Sequence, residues 1–200
     1  MKYKLLILLF TLSSCSLVLR VAFGVKQPKP HSAEYIEKYI KKYGLNHFEH
    51  YSITEKGFFD FFNITESHGM KSSINQVIIF NKNGNLILPK DTIKCSGKID
   101  KFMMSFKDTN VNKVLDSVGF VDVFGDSISS FSGSTYLKIE DDKPLFVLTW
   151  ASYAGKLNKT NTKVWADSIQ KMVEQEDINA IFLNFDFRKS WKMDLFTVDK

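Results

Sequence analysis

Outside the N-terminal segment the chain contains a single thiol, the side chain best suited here to covalent chemistry. Cys95 stands close to two lysines, Lys94 and Lys98. A neighbouring ammonium group favours the thiolate, which is the nucleophilic form of cysteine. Thiol or peroxide chemistry at Cys95 is therefore one candidate activity, and a partly buried structural cysteine is the alternative interpretation.

The spacing before Cys95 matches a known motif only in part. Pro89, Thr92 and Cys95 are similar to the Pro-x-x-x-Thr-x-x-Cys motif of peroxiredoxins, with one residue missing between the proline and the threonine. That motif needs the threonine hydroxyl and a backbone turn aimed at the sulfur, and a missing residue alters this geometry. A single-cysteine thiol peroxidase or oxidoreductase is the alternative function.

Other catalytic and cofactor chemistry has little support in the sequence. Gly155 and Lys156 lack the upstream glycine of a phosphate-binding loop, since Trp150 stands in its place. The histidines show no metal-ligand spacing with carboxylates or cysteines. There are four of them: His31, His47, His50 and His68. We expect neither a metal nor a cofactor.

Composition and charge exclude further classes of protein. At 200 residues, 44% of them apolar, the chain can form one domain with a substantial core. Lys2 and Lys4 are two of 27 basic residues, so the remainder has 25 basic against 22 acidic residues. This small, dispersed excess does not favour nucleic-acid binding. Since Cys15 belongs to the N-terminal segment, the domain cannot close an internal disulfide.

The first 14 residues have the pattern of an export signal. Lys2 and Lys4 precede an apolar run, and small residues follow. Leu12-Ser13-Ser14-Cys15 resembles the lipobox of bacterial lipoproteins, in which the cysteine is linked to diacylglycerol and becomes the first residue. This resemblance implies a lipid on Cys15, a tether over residues 15–31, and a domain over 32–200. The domain would lie outside the cytoplasm, on the cell membrane or outer membrane.

The N-terminal segment also allows a second kind of anchor. Residues 5–25 are largely apolar and long enough to span a bilayer as an uncleaved helix, with Arg20 near its far end. Plain secretion is a third interpretation. Pro28 and Pro30 predict an extended linker before the domain.

Local patterns predict the first half of the domain. Ser32 and Thr54 are expected N-caps of two helices, the first ending at Gly44. Asn83-Gly84 between apolar runs predicts a β-hairpin over residues 77–88. The other predicted elements are a strand at 47–53, helices at 99–106 and 111–118, strands at 120–124 and 134–139, and a loop at 127–134.

The end of the chain predicts a parallel crossover. Residues 145–148 are continuously apolar, as in a strand buried on both faces. A helical face follows over 157–173, with Trp165 in the core, and a strand over 178–185. Trp191 lies beyond this strand, where it either packs the C-terminal tail against the domain or anchors a partner. Strand, helix and strand with short links form a βαβ unit.

This βαβ unit resembles the thioredoxin-like family. Trp150-Ala151 at the end of a buried strand, the aromatic Tyr153 and the glycine Gly155 match the region of the redox turn. Asp186 stands where the family often has an acid, and the hairpin looks like the family's later hairpin. The hairpin precedes the strand here, so the order implies either a circular permutation or a fold that is only similar. A generic α/β crossover is the competing interpretation.

The resemblance fails at the residues that perform the chemistry. Ala154 and Leu157 occupy the two cysteine positions, so no thiolate stands at the helix start to attack a disulfide. The family's proline before the hairpin is also missing. The resemblance therefore implies a redox-inactive binding module for an envelope protein or peptide. Its expected contact residues are Trp150, Tyr153, Ala154, Gly155 and Lys156.

Overall fold

A computed structural model describes residues 24–46, 48–68, 74–89, 112–125, 127–131, 139–140, 142–175 and 177–191. These residues form a mixed α/β fold, the predicted class. The helices are α1 (Ala33–Lys42), α2 (Glu55–Ser67), α3 (Phe120–Phe124) and α4 (Lys163–Glu174). The strands are β1 (His50–Ile53), β2 (Gln76–Phe80), β3 (Asn85–Pro89), β4 (Asn112–Gly119), β5 (Ile128–Ser130), β6 (Leu145–Trp150) and β7 (Asn179–Asn184).

The seven strands of the described residues form one sheet with the order β4-β3-β2-β6-β7-β1-β5. β6, β7 and β1 run parallel, and the other neighbouring pairs are antiparallel. The central strand β6 is buried along its whole length. Its residues alternate between the two faces of the sheet, which explains the continuous apolar run.

Helices cover both faces of this sheet. Ile36 of α1 and Trp165 of α4 pack on one face with Phe146 and Leu148 of β6. α2 and α3 pack on the other face, and Phe61 of α2 lies there among buried apolar residues. Burial of these side chains supplies most of the driving force for folding.

The predicted crossover is confirmed. β6 pairs with β7 in parallel, from Leu145 opposite Asn179 to Trp150 opposite Asn184. The connecting helix α4 starts later than predicted, because a π-helical turn, Asn158–Thr162, precedes it. This turn brings the polar side chain of Asn158 beneath the end of β6.

The predicted caps and the hairpin are also confirmed. The Ser32 and Thr54 side chains accept hydrogen bonds from the amides of Tyr35 and Gly57 at the starts of α1 and α2. Gly84 has a φ of 80°, which only glycine adopts without strain. The Asn81 side chain accepts hydrogen bonds from two amides within the hairpin loop.

The helix predicted over 111–118 is wrong, because the described part of this segment is strand β4. It pairs with β3, placing Leu115 opposite Leu86, and the register then shifts so that Gly119 faces Asn85. This irregularity lets Leu115 and Val118, three residues apart, reach the same core. A three-residue apolar spacing is typical of helices, and the bulge in β4 produces it in a strand.

Two neighbouring predictions are also wrong. Residues 120–124 form helix α3 instead of a strand, with the rings of Phe120 and Phe124 5.3 Å apart one turn along it. The Asp122 carboxylate accepts a hydrogen bond from the Gly119 amide and stabilises the helix start. The predicted loop over 127–134 contains strand β5, which pairs with β1. Backbone pairing with β1 at the edge of the sheet stabilises this polar strand.

Several predictions concern residues outside the described ranges. They include the helix at 99–106, most of the strand at 134–139, Cys15 and Cys95. Among the helices that the structure does describe, none combines the length and the apolar character needed to cross a membrane.

Candidate functional site

The turn that follows β6, residues 151–156, contains most of the predicted contact residues. The structure places them at different depths. Trp150 is fully buried in the core, and Tyr153 and Ala154 have exposed fractions of only 8% and 6%. Gly155 is half-buried with a φ of 62°, and Lys156 is exposed. The surface of this turn therefore consists mainly of its last two residues.

A buried carboxylate holds the turn in place. Asp186, just beyond β7, has an exposed fraction of 0%. Its oxygens accept hydrogen bonds from the Ser152 amide at 2.9 and 3.0 Å and from the Ser152 hydroxyl at 2.8 Å. The Asn184 side-chain amide donates a further hydrogen bond at 2.8 Å. These donors compensate for the desolvation of the charge.

A second polar cluster supports the turn from below. The Asn158 side-chain amide donates to the Ala151 carbonyl at 2.7 Å and to the Tyr39 hydroxyl at 2.8 Å. Its oxygen accepts from the Asn75 amide at 2.9 Å, and Asn75 also donates to Thr162. Burial, with a hydrogen bond that the Tyr39 hydroxyl donates to Tyr43 as the next cause, raises the pKa of Tyr39, which keeps its hydroxyl neutral. The start of the turn, Ala151 and Ser152, is therefore tied to the protein interior by two separate polar side chains, Asn158 and Asp186.

The N-terminal segment packs against the same edge. The Lys26 amide donates to the Tyr153 carbonyl at 2.8 Å. The His31 amide donates to the Phe187 carbonyl at 2.8 Å, and the Lys189 amide donates to the His31 carbonyl at 3.2 Å. The predicted linker is thus fixed, from Lys26 onward, at the carboxyl edge of the parallel strands.

This arrangement positions groups and does not activate a nucleophile. The Ser152 hydroxyl donates directly to Asp186, whereas in a Ser-His-Asp triad a histidine lies between the two. Ser152 is only 4% exposed. The described part of the turn contains no thiol at the start of the π-helical turn, where a thiolate would be stabilised. Within the described residues no cluster of histidines and carboxylates could hold a metal.

His50 and Trp150 form a buried aromatic pair under this edge. Their rings lie 5.7 Å apart and meet edge to face. The His50 Nε2 atom lies 2.7 Å from the Leu45 carbonyl, which assigns the proton to Nε2. The His50 Nδ1 and Trp150 Nε1 atoms are buried without a hydrogen-bond partner among the described residues. Desolvation by burial lowers the pKa of His50 from 6.5 to about 4, and the bond to Leu45 partly opposes it.

This histidine predicts a loss of stability in mild acid. The unfolded state takes up its proton near pH 6.5, whereas folded His50 stays neutral until about pH 4. The contribution of neutral His50 to the free energy of unfolding is complete above pH 6.5 and is lost as the pH falls toward 4. Its loss lowers the free energy of unfolding by about 2 kcal/mol between pH 7 and pH 5.

Urea unfolding at a series of pH values measures this effect. His50→Gln should reduce the slope between pH 7 and pH 5, and His31, whose pKa burial also lowers, contributes to the part that remains. Equal slopes in the parent and His50→Gln would show that another group is responsible.

The sequence analysis singles out this turn, and the structure adds the residues that hold it: Ser152, Asn158 and Asp186. For Ser152 and Asp186 the sequence signal is positional, because polar residues just after two buried parallel strands meet at one edge of the sheet. Trp165 lies in the core as predicted, and Trp191 packs against Phe58 and Phe187.

Comparison with known proteins identified no relative of this chain. The sequence matches no family model. No curated protein and no solved structure was found to match it. The function of the site must therefore be inferred from its own chemistry.

Proposed function

We propose that this chain is a membrane-tethered, redox-inactive binding domain of the cell envelope, with Cys15 as the lipidated residue. The supporting observation is the state of the turn after β6. At the position where the resemblance implies a reactive sulfur, Ala154 is buried, and Asp186 holds the turn through Ser152. A rigid turn without a nucleophile suits recognition better than catalysis.

A circularly permuted thioredoxin-like fold is part of this proposal. The two pieces on which the resemblance depends are adjacent in the sheet, since β6 pairs with β7 on one side and β2 on the other. β2 and β3 form the hairpin. The hairpin precedes the crossover in the chain, which corresponds to the permuted order.

The proposed ligand is an extended segment of an envelope protein. The carboxyl edge already holds one extended polypeptide, the chain's own residues 26–31, through the Tyr153 and Phe187 carbonyls. Main-chain hydrogen bonds of this kind are a common means of peptide recognition. Gly155 and Lys156 follow Tyr153 in the turn and are its more exposed residues.

Site-specific crosslinking in intact cells tests the contact surface. A photoreactive residue at position 156 should capture one discrete envelope protein. The matched control is position 171, an exposed lysine near the far end of α4. A Gly155→Glu substitution should remove the crosslink from position 156. Equal capture from both positions, or capture that Gly155→Glu does not affect, would contradict the proposed surface.

The alternative enzyme requires a separate measurement. Peroxide consumption and disulfide reduction by the purified full-length protein are compared with those of Cys95→Ser. We expect no turnover by either protein. Turnover by the parent that disappears in Cys95→Ser would replace the binding proposal with a single-cysteine enzyme.

The membrane tether is tested by the mass of the mature N-terminal peptide. A lipidated protein gives an acylated peptide that starts at Cys15, and Cys15→Ala abolishes this product. An intact peptide starting at Met1 would favour the uncleaved anchor, and an unmodified mature peptide would contradict tethering.

A further inference from the structure

A cleft of about 570 Å³ lies beside the docked N-terminal segment. It opens between the start of α1, the end of β1 and the residues that follow β7. Three basic side chains line it, those of His31, Arg188 and Lys189. Glu55 is the acidic residue among its lining residues. Beyond the lining, the buried Asp186 interacts electrostatically with Arg188, and Glu34 interacts with Lys189.

Arg188 is fixed in an orientation suited to an anion. Its Nε atom donates to the Ser52 hydroxyl at 2.9 Å, and its guanidinium carbon lies 4.2 Å from the centre of the Phe131 ring. Arg188 takes part in none of the ion pairs found between described residues, although the buried Asp186 interacts with its charge at longer range. A half-buried guanidinium that is held in place without a direct ion pair is preorganised to bind an oxyanion.

The rest of the lining supplies serine side chains and an apolar wall. Ser32, Ser129 and Ser190 line the cleft. The Ser32 hydroxyl bonds to Glu34, and the Ser129 hydroxyl donates to the Ser52 carbonyl. Phe131 and Trp191 contribute aromatic surface. Helices α1 and α2 both begin at this cleft, and their first amides contribute positive potential beside the acidic side chains of Glu34 and Glu55.

We infer that this cleft binds a phosphomonoester, either free in solution or as the headgroup of an anionic lipid. A phosphomonoester has three terminal oxygens and nearly two negative charges, which match the guanidinium of Arg188 and the ammonium of Lys189. The volume leaves room for the body of the ester against Phe131 and Trp191. The inference does not depend on the turn after β6 contacting a protein.

Calorimetric titration of the full-length chain in non-ionic micelles tests this site at fixed ionic strength. The two probes are glycerol 3-phosphate and a short-chain phosphatidic acid in the same micelles. We expect saturable binding of at least one probe, and the probe that binds identifies the source of the phosphate. Arg188→Gln should weaken this binding by about 10- to 100-fold, as for the loss of a charge-assisted hydrogen-bond donor.

Further variants separate a specific site from general attraction. Lys189→Gln should weaken binding severalfold, and Lys171→Gln removes the same charge outside the cleft and should leave the affinity unchanged. If Arg188→Gln fails to fold, the affinity of Lys189→Gln decides whether the inference holds. An unchanged affinity in Lys189→Gln, an equal loss in Lys171→Gln, or no saturable binding of either probe would overturn the inference. None of these outcomes affects the crosslinking test of the proposed function.

Discussion

Replacing Asp186 with alanine is expected to lower the free energy of unfolding by about 3–5 kcal/mol. The substitution leaves the Ser152 amide, the Ser152 hydroxyl and the Asn184 side-chain amide without their acceptor in a buried site. An unsatisfied buried donor destabilises the folded state by about 1–3 kcal/mol. Removing the buried charge recovers part of this loss, since the carboxylate is itself desolvated.

Asp186→Asn should be milder, with a loss of about 1–2 kcal/mol. Its oxygen can still accept from Asn184 and from the Ser152 amide, while its NH₂ group faces the Ser152 hydroxyl, which can turn and accept. Urea unfolding of the full-length chain in non-ionic micelles, followed by tryptophan fluorescence, ranks the variants. The control is Asp167→Ala, which removes an exposed carboxylate paired with Lys163 and should change stability by less than about 0.5 kcal/mol. An Asp186→Ala protein as stable as this control would show that the network does not stabilise the turn.

The second large effect is expected at Gly57, in the first turn of α2. Helix propensity alone predicts that Gly57→Ala stabilises the protein by up to about 1 kcal/mol. The packing around Gly57 predicts that the same substitution destabilises the protein. A Cβ atom at this position would lie 2.1 Å from the Ser127 Cβ, 2.7 Å from its hydroxyl and 3.1 Å from its carbonyl oxygen. Residue 127 cannot retreat easily, because its carbonyl accepts the Thr54 amide at 2.7 Å.

We therefore expect Gly57→Ala to lower the free energy of unfolding by about 2–4 kcal/mol. Ser127→Gly removes two of the three clashing atoms, so the double variant Gly57→Ala/Ser127→Gly should recover most of the loss. The coupling between the two substitutions should exceed about 1 kcal/mol in a double-mutant cycle. If Gly57→Ala stabilises the protein, Gly57 of α2 and Ser127 are not in contact as described.

Local patterns predicted those parts of the fold that form by local chemistry. The caps at Ser32 and Thr54 and the hairpin loop around Gly84 involve neighbours within a few residues, so the sequence shows both partners at once. The β6–α4–β7 crossover was predictable for a related reason. Burial on both faces leaves a continuous apolar run, and one-sided burial leaves a helical period.

The wrong predictions concern segments whose structure depends on distant partners. The spacing of Val114, Leu115 and Val118 suits a helix, and the segment is a strand because β3 pairs with it through a bulge. Phe120 and Phe124 suit a strand by composition, and they form a helical turn that packs on Phe80. Neither partner is adjacent in the sequence, so no local window contains the deciding contact.

The amino-acid sequence by itself determined the α/β class and the absence of cysteines from Ala154 and Leu157. The N-terminal export signal that it indicates stays a prediction. The tertiary structure decided how that turn is held and which of its residues reach the surface. In the sequence Asp186 is an acidic residue that follows an apolar run. It is a buried acceptor because two parallel strands end side by side and direct Ser152 and Asn184 toward it. Whether a polar group is buried, and which groups it bonds, depends on which strands lie side by side. No short stretch of the sequence shows which strands these are.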